Sequence, residues 1–107
     1  MGRRTNASDV FLAIADPTRR TLLDLVSDRE RSVKELAAPF RISQPALSQH
    51  LKVLRDVGLV QQRKTGRERF YRLDPRPLVD VAAWIVRYEK FWRERLTKLG
   101  QVLEELP

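Results

Sequence analysis

The sequence contains no cysteine, a single histidine and only four glycines. The lack of cysteine excludes disulfides, thiolate metal sites and thiol redox switches, and His50 alone cannot form a histidine metal cluster. We therefore expect no metal site and no cofactor. The glycines are not clustered, and no nucleophile–base or carboxylate pair has a catalytic pattern, so an enzyme is the weakest function class for this chain.

Long hydrophobic runs are also absent. No apolar stretch approaches the ~18 residues of a membrane span. Residues 1–6 include Arg3 and Arg4 but lack the apolar segment of a secretion signal. These absences predict a cytoplasmic protein with no membrane partner.

Positive charge is abundant and concentrated. The 107 residues carry a formal net charge of +7, which favours a polyanionic partner such as nucleic acid. Residues 41–72 hold eight cations and two acids, and therefore +6 of that total. The length indicates one domain, residues 1–107, with a modest core that often gains stability by pairing with a second copy.

Four helices are predicted before residue 58. Residues 7–15 form a short amphipathic helix, and Asp16-Pro17 is the start signal of a second helix to about Ser27. Ser32 and Glu35 have the spacing of a capping box, which predicts a third helix to about residue 38. The charged loop between the second and third helices is expected to be exposed.

The fourth helix, within residues 43–58, has clear ends and two different faces. Ser43 can cap its start, and Gly58 suits the position just past its end. One face is apolar and requires a core; it carries Ala46, Leu47, Leu51, Val53, Leu54 and Val57. Amides and a hydroxyl on the other face can read base edges, while its cations can meet phosphates. That polar face carries Gln44, Ser48, Gln49, Lys52 and Arg55. The third and fourth helices together predict a helix-turn-helix.

A hairpin follows directly. Residues 59–65 and 68–73 change to a period of two, which predicts two strands with Gly66 near the tip. The tip is rich in cations, namely Arg63, Lys64, Arg67 and Arg69. A basic hairpin after a helix-turn-helix is typical of a wing that follows a phosphate backbone or enters a minor groove. Which cation enters the groove stays open.

A helical stripe of apolar residues occupies the rest of the chain. The pattern predicts one long helix over residues 76–106, whose apolar stripe from Leu78 to Leu106 would measure ~43 Å if unbroken. Gly100 is the position at which it can break or end. Such a helix exceeds what a small core needs, so part of its stripe is expected to pack on another molecule. Its aromatic residues favour dimer packing over a ligand pocket.

Five motifs resemble one known family. They lie at residues 15–23, 32–37, 43–54, 58–60 and 70–73, and read ADPTRRTLL, SVKELA, SQPALSQHLKVL, GLV and FYRL. In this order they resemble the ArsR/SmtB family of bacterial winged helix-turn-helix repressors over residues 8–99. The implied fold is mainly α with a small β-hairpin: four helices, a two-stranded wing and a long C-terminal dimerisation helix.

The resemblance also implies function. Family members bind an inverted-repeat operator as homodimers joined through their first and last helices, and they often repress their own operon. The DNA-binding residues expected here are Ser43, Gln44, Pro45, Ser48, Gln49, Lys52, Arg55, Arg63, Lys64, Arg67 and Arg69. The dimer-interface residues expected here are Val10, Phe11, Ile14, Trp84, Ile85, Tyr88, Phe91, Trp92, Leu96 and Leu99.

The chain departs from the metal-sensing members of that family. Where they carry Cys-x-Cys, this chain has Val33-Lys34-Glu35, and it has no histidine in its last helix. The comparison therefore places it in a subgroup without the metal-binding cysteines, with no recognisable effector site.

Three interpretations complete the sequence reading. His50 is expected to be structural, because it falls on the apolar side of the fourth helix when that helix is drawn as a helical wheel. Arg19 and Arg20 suit phosphate contacts and internal ion pairs equally. A winged-helix module that binds another protein, with an incidental basic surface, is the alternative function.

Overall fold

The computed structural model describes residues 6–106. Met1 to Thr5, and with them the predicted lack of a secretion signal, lie outside the described residues, as does Pro107. Within residues 6–106, no helix is long and apolar enough to cross a membrane.

Four helices build the N-terminal part, and the predicted sequence of helices is confirmed. They are α1 (Ala7–Ala15), α2 (Pro17–Leu25), α3 (Val33–Ala37) and α4 (Gln44–Asp56). The predicted caps form, since Asp16 accepts from the amide of Arg19 at 3.0 Å and Ser32 and Glu35 make a capping box. The backbone hydrogen bond from Ser32, followed by that from the Arg29 side chain, lowers the pKa of Glu35.

The sheet has three strands instead of the predicted two. Strands β2 (Val60–Thr65) and β3 (Glu68–Leu73) form the wing hairpin, with Gly66 at its tip at φ +61°. Strand β1 (Arg31–Ser32) comes from the loop predicted to be exposed and pairs with β3 in the antiparallel order β1-β3-β2. A two-residue strand is too short to show a side-chain period, and backbone pairing needs no apolar side chain, so the pattern could not reveal it.

The core lies between the four helices and the sheet. Its largest fully buried side chains come from α1 to α4 and from the residue just before β2; they are Val10, Leu22, Leu36, Leu54 and Leu59. Burial of each such side chain contributes roughly 1.5–3 kcal/mol. This core fixes α4 by its apolar face and leaves the polar face outside.

The prediction of a single long C-terminal helix is wrong. After a short 3-10 turn the chain forms α5 (Val79–Val86) and α6 (Glu89–Glu105). At the junction the hydrogen bonds change to i→i−3, from the amide of Arg87 to Trp84 and from that of Tyr88 to Ile85. The apolar stripe continues through this break, which is why periodicity did not reveal it. The predicted break at Gly100 is also wrong, since α6 runs through that residue.

Candidate nucleic-acid interface

Helix α4 is held rigidly by its caps and its buried face. The Ser43 hydroxyl accepts from the amide of Ala46 at 3.2 Å, and Gly58 takes φ +80° just past the end. Leu47, Leu51 and Leu54 are all at most 3% exposed. The predicted reading residues are exposed on the other side, namely Ser43, Gln44, Pro45, Ser48, Gln49, Lys52 and Arg55.

An open cleft of about 680 Å³ separates α4 from the wing. The α4 side of the cleft carries Gln44, Ser48, Lys52 and Arg55. The wing side carries Arg67, Glu68 and Arg69. Amide, hydroxyl and guanidinium groups therefore surround a single groove, a combination that suits base edges and phosphates together.

Two cations of α4 already have partners. Lys52 Nζ lies 2.8 Å from Asp56 Oδ2 in an i,i+4 pair, and Arg55 Nη1 donates to Gln62 Oε1 on β2. The second contact ties the end of α4 to the wing. In the described range 6–106, the side chains of Gln44, Ser48 and Gln49 make no hydrogen bond within the chain, so they can bond to a ligand.

The strand register divides the wing cations between two faces. Lys64 pairs with Arg69, and Gln62 pairs with the buried Tyr71, so these residues share the face turned to α4. Arg63 pairs with Phe70 and lies on the opposite face. Arg67 follows Gly66 at the tip and lines the cleft. Lys64, Arg67 and Arg69 therefore lie on the side of the wing that is turned to α4, whereas Arg63 does not.

Arg63 is engaged behind the sheet. Its Nε lies 3.2 and 3.1 Å from the two carboxylate oxygens of Glu30, and its Nη2 lies 2.6 Å from Oε1. Its guanidinium also stacks 4.7 Å from the centre of the Phe70 ring and donates to Thr65. The hydrogen bonds between Arg63 and Glu30 raise the pKa of Arg63 and lower that of Glu30.

Arg19 and Arg20 have a role that the sequence reading missed. The last four carbonyls of a helix lack intrahelical donors, and these two guanidiniums supply all of those donors for α1. The acceptors are the carbonyl oxygens of Leu12, Ala13, Ile14 and Ala15, at 2.6–3.0 Å. Neither of the predicted roles, phosphate contact or internal ion pair, describes this arrangement.

Arg19 also contacts α4. Its Nη1 lies 3.3 Å from Nδ1 of His50, and Asp16 Oδ2 lies 3.9 Å from the same nitrogen. The backbone hydrogen bond from Arg19 is the largest of the contacts that lower the pKa of Asp16. His50 is half-buried, so its predicted structural role agrees with these contacts.

The base of the wing is closed by a buried carboxylate. Asp74 is 8% exposed and accepts from Nε and Nη2 of Arg76, at 2.9 and 2.6 Å, and from Gln61 at 3.0 Å. The side-chain hydrogen bonds from Arg76 hold the pKa of Asp74 well below its ordinary value. No charge pattern in the sequence distinguished Asp74 from the exposed acids.

The predicted interface residues lie mostly on one apolar surface. The Phe11 ring meets Trp84 edge-on at 5.6 Å, and Trp84 meets Tyr88 at 5.4 Å, so α1 and α5 share it. Its exposed members are Trp84, Ile85, Tyr88, Phe91, Leu96 and Leu99, whereas Phe11, Ile14 and Trp92 are half-buried. The prediction that Val10 lies in the dimer interface is wrong, because its side chain is 1% exposed in the chain's own core and has no surface left for a partner.

No metal-binding cluster occurs in the described part of the chain. Among residues 6–106, no group of three or more histidine, aspartate or glutamate side chains is placed to hold a metal ion. The segment Val33-Lys34-Glu35 forms the first turn of α3 and offers one carboxylate, which is bonded to Ser32 and Arg29.

Comparison with known proteins identifies the family. Residues 16–62 match the family described as bacterial regulatory protein, arsR family. The chain is 40% identical over 92 residues to the HTH-type transcriptional regulator Rv2034 of Mycobacterium tuberculosis, covering 86% of this chain and 83% of that protein. It is 33% identical over 81 residues to the transcriptional repressor SdpR of Bacillus subtilis, covering 76% and 90%.

A solved structure agrees with these relatives. The crystal structure of an ArsR family transcriptional regulator superposes with a TM-score of 0.73 at 33% identity, covering 87% of this chain and 97% of that one. The relatives are transcriptional regulators, not enzymes. This chain therefore belongs to the ArsR/SmtB family of winged helix-turn-helix, DNA-binding transcriptional regulators.

Proposed function

We propose that this regulator is a cytoplasmic homodimeric repressor that binds an inverted-repeat operator, with that of its own operon as the first candidate. The observation that carries the proposal is the cleft in which the exposed Gln44 and Ser48 of α4 face Arg67 and Arg69 of the wing. No cofactor is required by this arrangement.

Base reading is assigned to the first turns of α4. Gln44, Ser48 and Gln49 are exposed and carry amides or a hydroxyl, which can pair with base edges in a major groove. Ser43 and Pro45 set the start of the helix at the same end. Specificity is therefore expected to depend on these side chains.

Phosphate contacts are assigned to the cations around the cleft. Arg67 and Arg69 line it from the wing, and Lys64 shares their face. Lys52 and Arg55 line it from α4 and would exchange or share their present partners on binding. These cations are expected to supply affinity that falls with salt.

The dimer is assigned to the apolar surface of α1, α5 and α6. Phe91, at 68% exposed, and Leu99, at 54%, are typical of its members. Large exposed apolar side chains grouped in this way mark an interaction site. A two-fold pair of α4 helices would reach successive major grooves ~34 Å apart.

The alternative function, a module that binds only proteins, is not favoured. It explains the apolar surface of α5 and α6 but leaves the polar cleft without a role. The named transcriptional regulators among the relatives also favour DNA.

The experiment is fluorescence anisotropy with DNA from upstream of the gene, with competitor DNA and several salt concentrations. Gln49→Ala is expected to reduce discrimination between the operator and a scrambled duplex. Arg67→Ala is expected to weaken binding to both duplexes and to reduce the log–log salt slope by about 1.8, which is about 0.9 for each of the two copies of Arg67 in the dimer.

Lys98→Ala is the matched control, because Lys98 is an exposed cation on α6 that pairs with Glu94 at 3.5 Å. It is expected to bind DNA as the wild type does. Equal binding of wild type to every duplex would contradict the proposed function, and an unchanged slope for Arg67→Ala would contradict the wing assignment.

A further inference from the structure

A line of side chains crosses the back of the sheet. In the register Ser32 lies beside Phe70, and Phe70 lies beside Arg63, so the three strands contribute neighbours to one row. Glu30 precedes β1 by one residue, and the Arg63 side chain reaches it across the Phe70 ring. We call this set of Glu30, Phe70 and Arg63 the back strap.

The back strap has fixed geometry for a surface contact. Arg63 makes hydrogen bonds to both oxygens of Glu30, at 2.6–3.2 Å, and stacks on a ring at the same time. A planar guanidinium that is both bidentate and stacked loses less freedom per contact than a single exposed pair. The Glu30 side chain is 31% exposed, so it is partly screened from water.

The strap joins the two parts of the DNA interface. Glu30 belongs to the segment that enters β1 and α3, the first helix of the helix-turn-helix, while Arg63 lies in the outer wing strand β2. On the front of the sheet Arg55 of α4 bonds to Gln62, the neighbour of Arg63. Strand β2 is therefore fixed from both faces just below the tip that carries Arg67.

We propose that Glu30 and Arg63 are positioning residues for DNA binding: they set the angle of the wing to α4 and do not touch the phosphates. This inference rests on the proposed function. It differs from the sequence prediction, which gave Arg63 a direct DNA contact.

If only net charge matters, replacement of Glu30 should strengthen DNA binding, and if the position of the wing matters, it should weaken it. Loss of an acid near a DNA-binding surface should tighten binding if only charge matters. Loss of the back strap should weaken DNA binding. The wing is then less ordered, so placing its cations on the DNA backbone costs conformational entropy. Glu30→Gln is expected to weaken operator binding by about two- to fivefold, the range for a well-formed exposed ion pair.

The matched control is Asp28→Asn. Asp28 lies in the same loop, has a side chain 67% exposed and pairs with Arg31 at 3.4 Å, so its replacement changes net charge equally and leaves the strap intact. Asp28→Asn is expected to bind as tightly as wild type or more tightly.

Variants of Arg63 separate the two roles further. Arg63→Gln is expected to weaken binding as much as Glu30→Gln, and the double variant is expected to be no weaker than either single one. Arg63→Lys keeps a phosphate-binding charge but loses the bidentate and stacked geometry. It should therefore bind as weakly as Arg63→Gln, with the wild-type salt slope.

The measurement is anisotropy over a salt series, well below the melting midpoint of every variant. Binding by Glu30→Gln that equals or exceeds wild type would overturn the strap, as would a salt slope reduced by about 1.8, or about 0.9 per copy of Arg63 in the dimer, in Arg63→Gln. Both results leave the proposed function standing. Failure of the wild type to prefer its operator would instead contradict the proposed function itself.

Discussion

Helices α4 and α6 carry similar apolar stripes, but the stripe of α4 is buried and that of α6 is exposed. In α4, Leu47, Leu51 and Leu54 are at most 3% exposed, whereas in α6 Leu96, Leu99 and Leu103 are 52–59% exposed. Within the described part of the chain, α5 and α6 contain no buried residue. Helical periodicity shows that a face needs a partner, but it does not show whether the partner belongs to the same chain.

This contrast indicates that the two regions of the molecule have different roles. The region from α1 to β3 holds α4 through its own core and carries the groups that we propose to contact DNA. In our proposal, the exposed apolar sides of α5 and α6 are covered by a second copy, although α5 also packs on α1 through Trp84 and Phe11. Each of the following changes breaks or sharpens the contrast, from the largest expected effect to the smallest.

Leu54→Ala should have the largest effect. It removes a fully buried side chain and leaves a cavity, so it should lower the free energy of unfolding by about 2–5 kcal/mol. Urea denaturation at widely different protein concentrations should give this loss at each of them. Leu103→Ala, the matched change on α6, should instead have an effect that depends on protein concentration. A concentration-independent loss of the same size in both variants would abolish the contrast.

Leu99→Glu should abolish the dimer. Removing an unpaired charge from water costs several kcal/mol, so a glutamate in the centre of the apolar stripe should prevent burial of the stripe. Sedimentation velocity should show monomer for Leu99→Glu and dimer for wild type at the same concentration. Gln101→Glu, an exposed position two residues away, is the control and should leave the dimer intact. A monomeric wild type would contradict the assignment.

Asp74→Asn tests the junction between the two regions. The carboxylate accepts charged hydrogen bonds from Arg76, so its replacement should cost about 1.5–3 kcal/mol at neutral pH. Because folding lowers the pKa of Asp74, its stabilisation is complete above the unfolded value of ~3.9 and is lost as the pH falls below it.

Melting midpoints of wild type and Asp74→Asn should therefore differ at pH 7 and converge in acid. Asp80→Asn, in the exposed first turn of α5, is the control and should melt as the wild type does at pH 7. A pH-independent difference would show that the carboxylate charge is not what stabilises the junction.

Arg20→Met should have the smallest effect. It removes two donors from the end of α1, worth about 1 kcal/mol each at most for such exposed bonds. Thermal denaturation should show a small loss. Arg93→Met on α6 should show less, because the one side-chain partner of Arg93 among the described residues is Glu89, in an exposed i,i+4 pair. Equal losses would indicate that Arg20 does not cap α1.

The elements set by local chemistry were predictable. The Asp16 and Ser32 caps and the Gly58 end depend on residues next to each other in the chain, and all of them formed. The wing hairpin followed from a period of two and a glycine at the tip. The recognition face of α4 followed from the angular separation of its amides and leucines.

Contacts between distant segments were not predictable. Glu30 and Arg63 are 33 positions apart, and a charged loop residue gives no sign of which strand it will meet. The capping of α1 by Arg19 and Arg20 needs the angle between two helices, which periodicity does not contain. The change to i→i−3 hydrogen bonds at Tyr88 occurs without proline or glycine, so it left no mark in the pattern.

The most direct test of the account is a hydroxyl-radical footprint of the wild-type protein on its upstream DNA. Two recognition helices related by a two-fold axis should give two protected segments of inverted sequence, centred about one helical turn, ~10 base pairs, apart. Arg67→Ala should weaken both segments together. A single protected segment, or uniform protection of any duplex, would contradict the dimeric, sequence-specific repressor that the cleft and the apolar surface support.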